Sequence, residues 1–241
     1  MARLGRKKRR GFRKKRRMKP LRWLLKALVF VFLFTILWAL LYRFVPIPVT
    51  TPQLGDYVDG QTVYRSWTPL EEISPNLVRA VIASEDARFC SHNGFDIEAI
   101  ETAMKANEKG GRLRGASTIS QQTAKNAFLW SDRNWLRKGL EAYFTGLIEL
   151  LWGKHRIMEV YLNVAEMGPG VYGAAAAAQY HYGKSAADLS PNEAARLAAV
   201  LPNPIERNAG NPGPFVRRHS GNIQRWIGIV DADGQDDCIF G

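Results

Sequence analysis

The sequence offers carboxylates near helix ends, beside hydroxyls, amides and cations at helical spacing. Glu85, in EDARFCSHNGFD, falls four residues after Val81 and seven after Val78, so on a helix it stands over an apolar stripe. A carboxyl there is partly desolvated, which raises its pKa toward the range of an effective general base or acid near neutral pH. The alternative is a helix-end glutamate that is solvated or paired with Arg79 or Arg88. Asp86 adjoins it, and Phe89, His92 and Gly94 follow in a turn leading to Asp96. A helix C-terminus carries partial negative charge, so two adjacent acids there require local compensation or a role. His92 by itself is more often structural than catalytic.

In GASTISQQTAKN, residues Ser117, Gln121 and Lys125 repeat at i, i+4 and i+8 beside Thr118 and Gln122. Such a face, entered from the basic loop GGRLRG with Arg112 and Arg114, suits a sugar and its phosphates: hydroxyls and amides for the sugar, cations for the charge. A polar helix face is otherwise simply solvated. In RKGLEAYFTGLIE a core stripe of Leu136, Leu140, Tyr143, Phe144, Leu147 and Leu151 puts Glu141 at its edge. There Glu141 would have a role of its own or form an intrahelical ion pair with Arg137 or Lys138, worth about 0.2–0.5 kcal/mol on an exposed surface. Arg156, Glu159 and Asn163 form a further polar line, opposite Ile157, Tyr161 and Val164.

These groups need helices to hold them, and the pattern from Thr68 to Pro202 is helical, with apolar residues three or four apart and few alternating runs. The sequence therefore predicts a mainly α domain over 57–213. Ser74-Pro75 reads as an N-cap with Pro at the first helical position, ahead of Leu77, Val78, Val81 and Ile82. Ser190-Pro191-Asn192-Glu193 reads as a capping box. Between them the pattern predicts helices over about 96–107, 117–128, 134–152 and 155–166. The stretch 214–241, with Asp231, Asp233, Asp236, Asp237 and scattered glycines, reads as a loosely attached tail.

The net charge is +12, which would suit nucleic acid, but its distribution argues otherwise. Of 34 Lys and Arg, 14 fall in residues 1–26, which hold no acid, leaving 20 basic against 22 acidic residues beyond. A basic tail over 1–20 precedes an apolar run over 21–45 that is long enough to cross the ~30 Å hydrocarbon layer. The positive-inside rule places the N-terminus in the cytoplasm and the remainder outside. The run exceeds the core of a cleaved signal peptide, the alternative reading, and no small-x-small site precedes Pro46. Pro46, Pro48 and Pro52 make 46–56 a stiff Pro-rich linker. Cys90 and Cys238 are too few for a disulfide framework, although the oxidising side of a membrane permits a bond.

Taken together, EDARFCSHNG, GASTISQQTAKN, RKGLEAYFTGLIE, RIMEVYLNVAEMGPGVYG and NEAARLAAVLPNP, in order between Thr68 and Pro204, resemble the glycosyltransferase family 51 domain. The resemblance implies a lysozyme-like, two-lobed fold behind a single transmembrane helix in the bacterial inner membrane, with the catalytic domain in the periplasm. It implies polymerisation of lipid II into β-1,4-linked glycan strands, with release of undecaprenyl pyrophosphate. Glu85 is then the general base and Glu141 the second catalytic glutamate, which could hold Mg²⁺ or Mn²⁺; no organic cofactor is expected. Lys125, Arg133, Arg137 and Lys138 match positions near the pyrophosphate. Substrate contacts are expected from Asp86, Phe89, His92, Ser117, Thr118, Gln121, Gln122 and Asn126, and from Arg156, Glu159 and Asn163.

The chain departs from the family pattern at Leu140, where many bifunctional relatives have Lys, and at Arg156, where the motif often starts with Lys. No transpeptidase half is evident after Pro214, so crosslinking is not expected. Expected partners are lipid II, the growing lipid-linked glycan, the membrane and other cell-wall synthesis proteins, with no nucleic acid. Two other functions share parts of this pattern: a lysozyme-like peptidoglycan-cleaving enzyme, and an inactive membrane scaffold for wall-synthesis enzymes.

Overall fold

A computed structural model of the chain describes residues 19–108, 110, 115–132 and 134–241. The basic tail expected over 1–20 falls almost wholly outside them, as do Arg112, Arg114 and Arg133. The contacts divide the chain into two units, Met1–Trp38 and Ala39–Gly241. Helix α1, Lys19–Phe44, supplies the apolar run. Within Pro20–Phe44 an 18-residue window has mean hydropathy 2.6 and is 6% buried, a length and composition compatible with a single-pass membrane anchor.

The expected Pro-rich linker over 46–56 is not a spacer. Helix α2, Thr51–Val58, begins inside it with a capping box in which the Thr50 and Gln53 side chains each accept from the other's backbone N–H. Ile47, Thr50 and Gln53 are buried, and the Thr51 hydroxyl donates to Leu129 O. Pro52 is tolerated because the first turn of a helix has no use for its missing N–H. The Thr-x-x-Gln signature was present in the sequence, masked by the three prolines.

Helix α3, Pro75–Glu85, buries Leu77, Val78, Val81 and Ile82 completely, at about 1.5–3 kcal/mol for each side chain. Pro75 starts it as expected, but Ser74 makes no capping bond, its hydroxyl donating instead to Leu189 O at 2.9 Å. Helices α4 (Ile97–Glu108), α5 (Ile119–Phe128), α6 (Trp135–Leu151) and α7 (Lys154–Val164) follow. α5 packs against both α6 and α7. Helix α9, Pro191–Val200, opens on the Ser190/Glu193 capping box that its sequence announces. The described fold is mainly α, as expected.

The only strands among the described residues form one small sheet. β1 (Tyr64–Arg65) lies parallel to β3 (Val171–Tyr172), which pairs antiparallel with β2 (Glu166–Gly168). Beyond β3, Gly173 has φ +86°, and a Cβ there would lie 2.8 Å from Asn163 O. Only glycine lets this turn enter α8, Ala174–Tyr182.

The loosely attached tail expected over 214–241 is instead helix α10, Pro214–Ala232, and the short α11, Asp237–Phe240. Val216, Ser220, Ile223, Ile227 and Val230 form its buried stripe, an alternating four- and three-residue spacing that glycines and acids had obscured. α10 packs on α3 and α9. Cys90 and Cys238 form a disulfide.

Candidate active site

Glu85 is the last residue of α3, half-buried, and accepts a hydrogen bond from Gln122 Nε2 on α5 at 2.8 Å. Burial raises its pKa above the usual carboxylate value; the Gln122 bond opposes the rise, Asp86 adds to it, and Lys125 and Arg207 pull it down. Neither partner considered from sequence holds Glu85. Arg79 pairs with Asp231 and Asp236, and Arg88 with Asp96 and Glu98. Tyr161, fully buried nearby, is pushed well above the ordinary phenol value by burial, then by Glu85 and Asp86, so it stays neutral.

Asp86 is compensated as its helix-end position requires. One carboxylate oxygen lies 2.9 Å from His92 Nε2, and the other accepts the Ile119 N–H at 3.0 Å, at the positive end of α5. Asp86 therefore welds the end of α3 to the start of α5, and His92 is its orienting partner. Phe89, expected as a substrate contact, has no exposed surface; Lys154 Nζ lies 4.5 Å from its ring centre. The same ammonium donates to His92 O and to Glu149 Oε1, each at 2.7 Å. Lys154 and Glu149 had not been singled out from the sequence, where each reads as an ordinary helix-end charge.

The five-residue polar face expected on α5 divides in two. Ser117 precedes the helix and Thr118 is its N-cap, with Gln121 as capping-box partner. Both Thr118 and Gln121 are buried, and the Thr118 hydroxyl donates to Gly94 O at 2.6 Å. Gly94 has φ +86°, with Thr145 Cγ2 2.7 Å from where a Cβ would stand. Thr118 and Gln121, expected as substrate contacts, are therefore engaged in holding the helix start. Ser117, Gln122, Lys125 and Asn126 do line a cavity of about 640 Å³. It shares Gly115 and Ser117 with a smaller one, about 300 Å³, that contains Glu85 and Asp86.

Arg137, Lys138 and Glu141 line the same large cavity from α6. The expected stripe on that helix is corrected in part: Arg137, Glu141, Phe144, Thr145 and Ile148 are its buried residues, while Leu136 is 70% exposed. Leu140, Tyr143, Phe144, Leu147 and Leu151 of the expected stripe are buried or half-buried, but counting apolar residues misses that the inward face also carries the polar groups of the cavity. Arg137 Nη1 donates to Glu141 Oε2 at 2.8 Å, and Lys138 Nζ binds the other oxygen. The intrahelical pair weighed from sequence is thus real, doubled and buried. With both oxygens held by cations, Glu141 does not fit as a ligand for Mg²⁺ or Mn²⁺. Arg137 Nε is buried without a hydrogen-bond partner among the described residues, a donor left over for an anion. Elsewhere Asp86, His92 and Asp96 bring ligand atoms within 4.8 Å of one another. Asp96, however, already holds Arg88 and the Ala99 N–H, and Asp86 is spent as described.

Arg156, Glu159 and Asn163, expected as substrate contacts, are each engaged within the protein. Arg156 pairs with Glu159 at 3.0 Å and donates to Tyr42 O and Val45 O, fixing the end of α1. The buried Asn163 accepts from Thr68 N at 2.8 Å and donates to Thr68 O at 2.9 Å. Pro52 of α2, Glu166 of β2 and Tyr172 of β3 complete the cavity wall, and no motif in the sequence marks them. Burial raises the Glu166 pKa, and Asp56 adds to the rise. The Tyr172 hydroxyl donates to Asp56 Oδ2 at 2.7 Å, so the linker helix and the sheet close this end together.

What the arrangement can do chemically follows from its two halves. A carboxyl biased toward protonation stands on an amide bond at one side, and Lys125, Arg137 and Lys138 converge at the other, suited to proton abstraction beside an anionic leaving group. Residues 52–225 match the sequence model of the family described as Transglycosylase. Among curated proteins, the chain is 52% identical over 200 residues to a biosynthetic peptidoglycan transglycosylase of Caulobacter vibrioides, covering 83% of this chain and 87% of that one. It is 55% identical over 205 residues to the protein of that name in Rhodospirillum centenum, covering 84% and 88%. With that of Xanthomonas campestris pv. campestris it shares 49% over 218 residues, covering 88% and 89%.

Proposed function

Because the chain belongs to the transglycosylase family, we propose that it is a peptidoglycan glycosyltransferase that polymerises lipid II into β-1,4-linked glycan strands and releases undecaprenyl pyrophosphate. The observation that carries this reading is the pairing of Glu85, raised in pKa and held by Gln122, with a cavity walled by Lys125, Arg137 and Lys138. Glu85 takes the proton from the 4-hydroxyl of the acceptor sugar as that oxygen attacks the anomeric carbon of the lipid-linked chain. Attack from the face opposite the α-linked pyrophosphate inverts the centre and gives a β bond.

The leaving pyrophosphate gains charge as the bond breaks, and cations already in place stabilise it without reorganising. Glu141 aligns Arg137 and Lys138 for that purpose. Ser117, Gln122 and Asn126 supply hydroxyl and amide contacts to the sugar. No step is assigned to a metal, given the engagement of Glu141. The α1 helix serves as a single-pass anchor, N-terminus in the cytoplasm and the domain on the outer face of the inner membrane, a placement that suits the Cys90–Cys238 disulfide. Peptidoglycan cleavage would use a similar carboxyl but gives no role to three converging cations.

The test is to incubate detergent-solubilised protein with fluorescent lipid II, with and without moenomycin, and to resolve products on a gel beside a muramidase-treated sample. Moenomycin-sensitive, muramidase-digestible polymer is expected, and it should vanish in Glu85→Gln. Unchanged lipid II under several metal and detergent conditions would favour an inactive scaffold. Soluble fragments released from purified sacculi would favour cleavage.

A further inference from the structure

The chain on either side of Glu85 is gripped by the far end of the molecule through contacts that no step of the reaction uses. Six residues before Glu85 on α3, Arg79 Nε donates to Asp236 Oδ2 at 2.7 Å, and a second nitrogen pairs with Asp231. Its guanidinium lies 5.8 Å from the Phe240 ring centre. Five residues after Glu85, Cys90 sits in the one-turn helix Phe89–Ser91 and is bonded to Cys238 of α11, 148 residues away. Cys90 also lies between Asp86 and His92, whose 2.9 Å contact orients the start of α5 against the end of α3.

These tethers differ in strength. Asp231 has a side chain 55% exposed, so its pair with Arg79 is weakened by solvent and salt, whereas Asp236 is 5% exposed. α11 has only four residues, too few to hold a helical turn by themselves, and Ile239 is its one buried apolar side chain. Besides the buried Arg79–Asp236 pair and its packing on α7, the covalent bond is what fixes α11 against Cys90.

We propose that residues 231–241 are a positioning element for Glu85 and that the Cys90–Cys238 bond locks it, so that full activity requires oxidation of the two thiols. This rests on the reading of Glu85 as the general base. Oxidation proceeds by exchange with an external protein disulfide: the two thiols give up two protons and two electrons, the Cys90–Cys238 bond forms, and the donor's S–S bond breaks to two thiols. Such oxidants act outside the reducing cytoplasm, so the lock would close only after the domain has crossed the membrane.

The test uses the full-length protein in detergent with fluorescent lipid II, oxidised or treated with reductant, thiols being counted by alkylation and mass. Reduction should lower kcat/KM roughly tenfold, less than the roughly hundredfold loss that a misplacement of about 1 Å can cause. It should also move the acid limb of the pH profile toward the ordinary carboxylate range and speed amide exchange over residues 85–92, with α6 unchanged. Cys238→Ser should match the reduced protein and no longer respond to reductant. Two free thiols with unchanged rate, acid limb and exchange would overturn the inference, as would a uniform rise in exchange across the domain, which would assign the bond to overall stability. If the oxidised wild type makes no polymer, the glycosyltransferase reading fails, while the exchange comparison still reads the lock.

Discussion

Gln122 Nε2 donates to Glu85 Oε2 at 2.8 Å, joining α5 to the end of α3 and favouring the ionised form of a carboxyl that burial pushes toward protonation. The two effects set where the base titrates. Gln122→Met keeps the bulk and removes the donor, so the Glu85 pKa should climb further and the acid limb of kcat/KM should move to higher pH. A hydrogen bond to a charged group is worth about 1.5–3 kcal/mol, which at about 1.36 kcal/mol per pH unit corresponds to roughly one to two units. A pH–rate profile with an unmoved limb would show that Gln122 does not tune Glu85.

The raised pKa also has a sign for stability. A carboxyl whose folded pKa lies above its unfolded value contributes stability that is complete below the unfolded value and is lost as pH rises through the folded one. Glu85→Gln removes that ionisation, so at neutral pH the variant should melt slightly above wild type while making no polymer, and the difference should disappear near pH 4. Thermal melts of both proteins at the two pH values check this. A variant that melts well below wild type at neutral pH would contradict the burial argument.

Glu141 should behave in the opposite way. Its side chain is 4% exposed and faces Arg137, itself 10% exposed, together with Lys138. Breaking a buried pair by removing one partner strands the other charge, at about 3–5 kcal/mol. Glu141→Gln should therefore lose both activity and melting temperature. Charge-swapped Glu141→Lys should be worse, and Arg137→Met should partly restore the melt of Glu141→Gln but not its activity.

A divalent ion acting through Glu141 would have to displace Arg137 or Lys138 from a carboxylate whose two oxygens are both engaged. Excess EDTA should consequently reduce the rate of polymerisation much less than Glu141→Gln does. Equal losses from chelation and from the substitution would place a metal at this glutamate.

What the sequence revealed and what it hid follow one physical division. Apolar periodicity exposed α3, because Leu77, Val78, Val81 and Ile82 all face protein, and the Ser190/Glu193 capping box fixed the start of α9. The same rule was incomplete on α6, where Phe144 faces protein as expected but the inward face also carries Arg137 and Glu141 and the apolar Leu136 faces out. Polarity alone could not separate Gln122, which reaches Glu85, from Gln121 one residue earlier, which is consumed in capping. That distinction depends on where the helix starts, two residues later than its composition suggested. Asp56 meets Tyr172 only through tertiary contact, across 116 residues, a separation no local pattern encodes.

Asn163 gives the plainest contrast between a residue that looks like a substrate contact and one that holds the frame. Its amide closes a two-way clamp on the Thr68 backbone at 2.8 and 2.9 Å and also donates to Glu159 O at 2.8 Å. Asn163→Leu is close in volume but strands the buried Thr68 N–H and C=O, each costing about 1–3 kcal/mol when unsatisfied. The variant should lose several degrees or more of melting temperature, and at a temperature where it remains folded its KM for lipid II should stay within about twofold of wild type, as expected when no substrate interaction is lost. Asn163→Asp retains the acceptor but not the donor and should fall between the two. A rise in KM of an order of magnitude with an unchanged melt would return Asn163 to the substrate-binding surface.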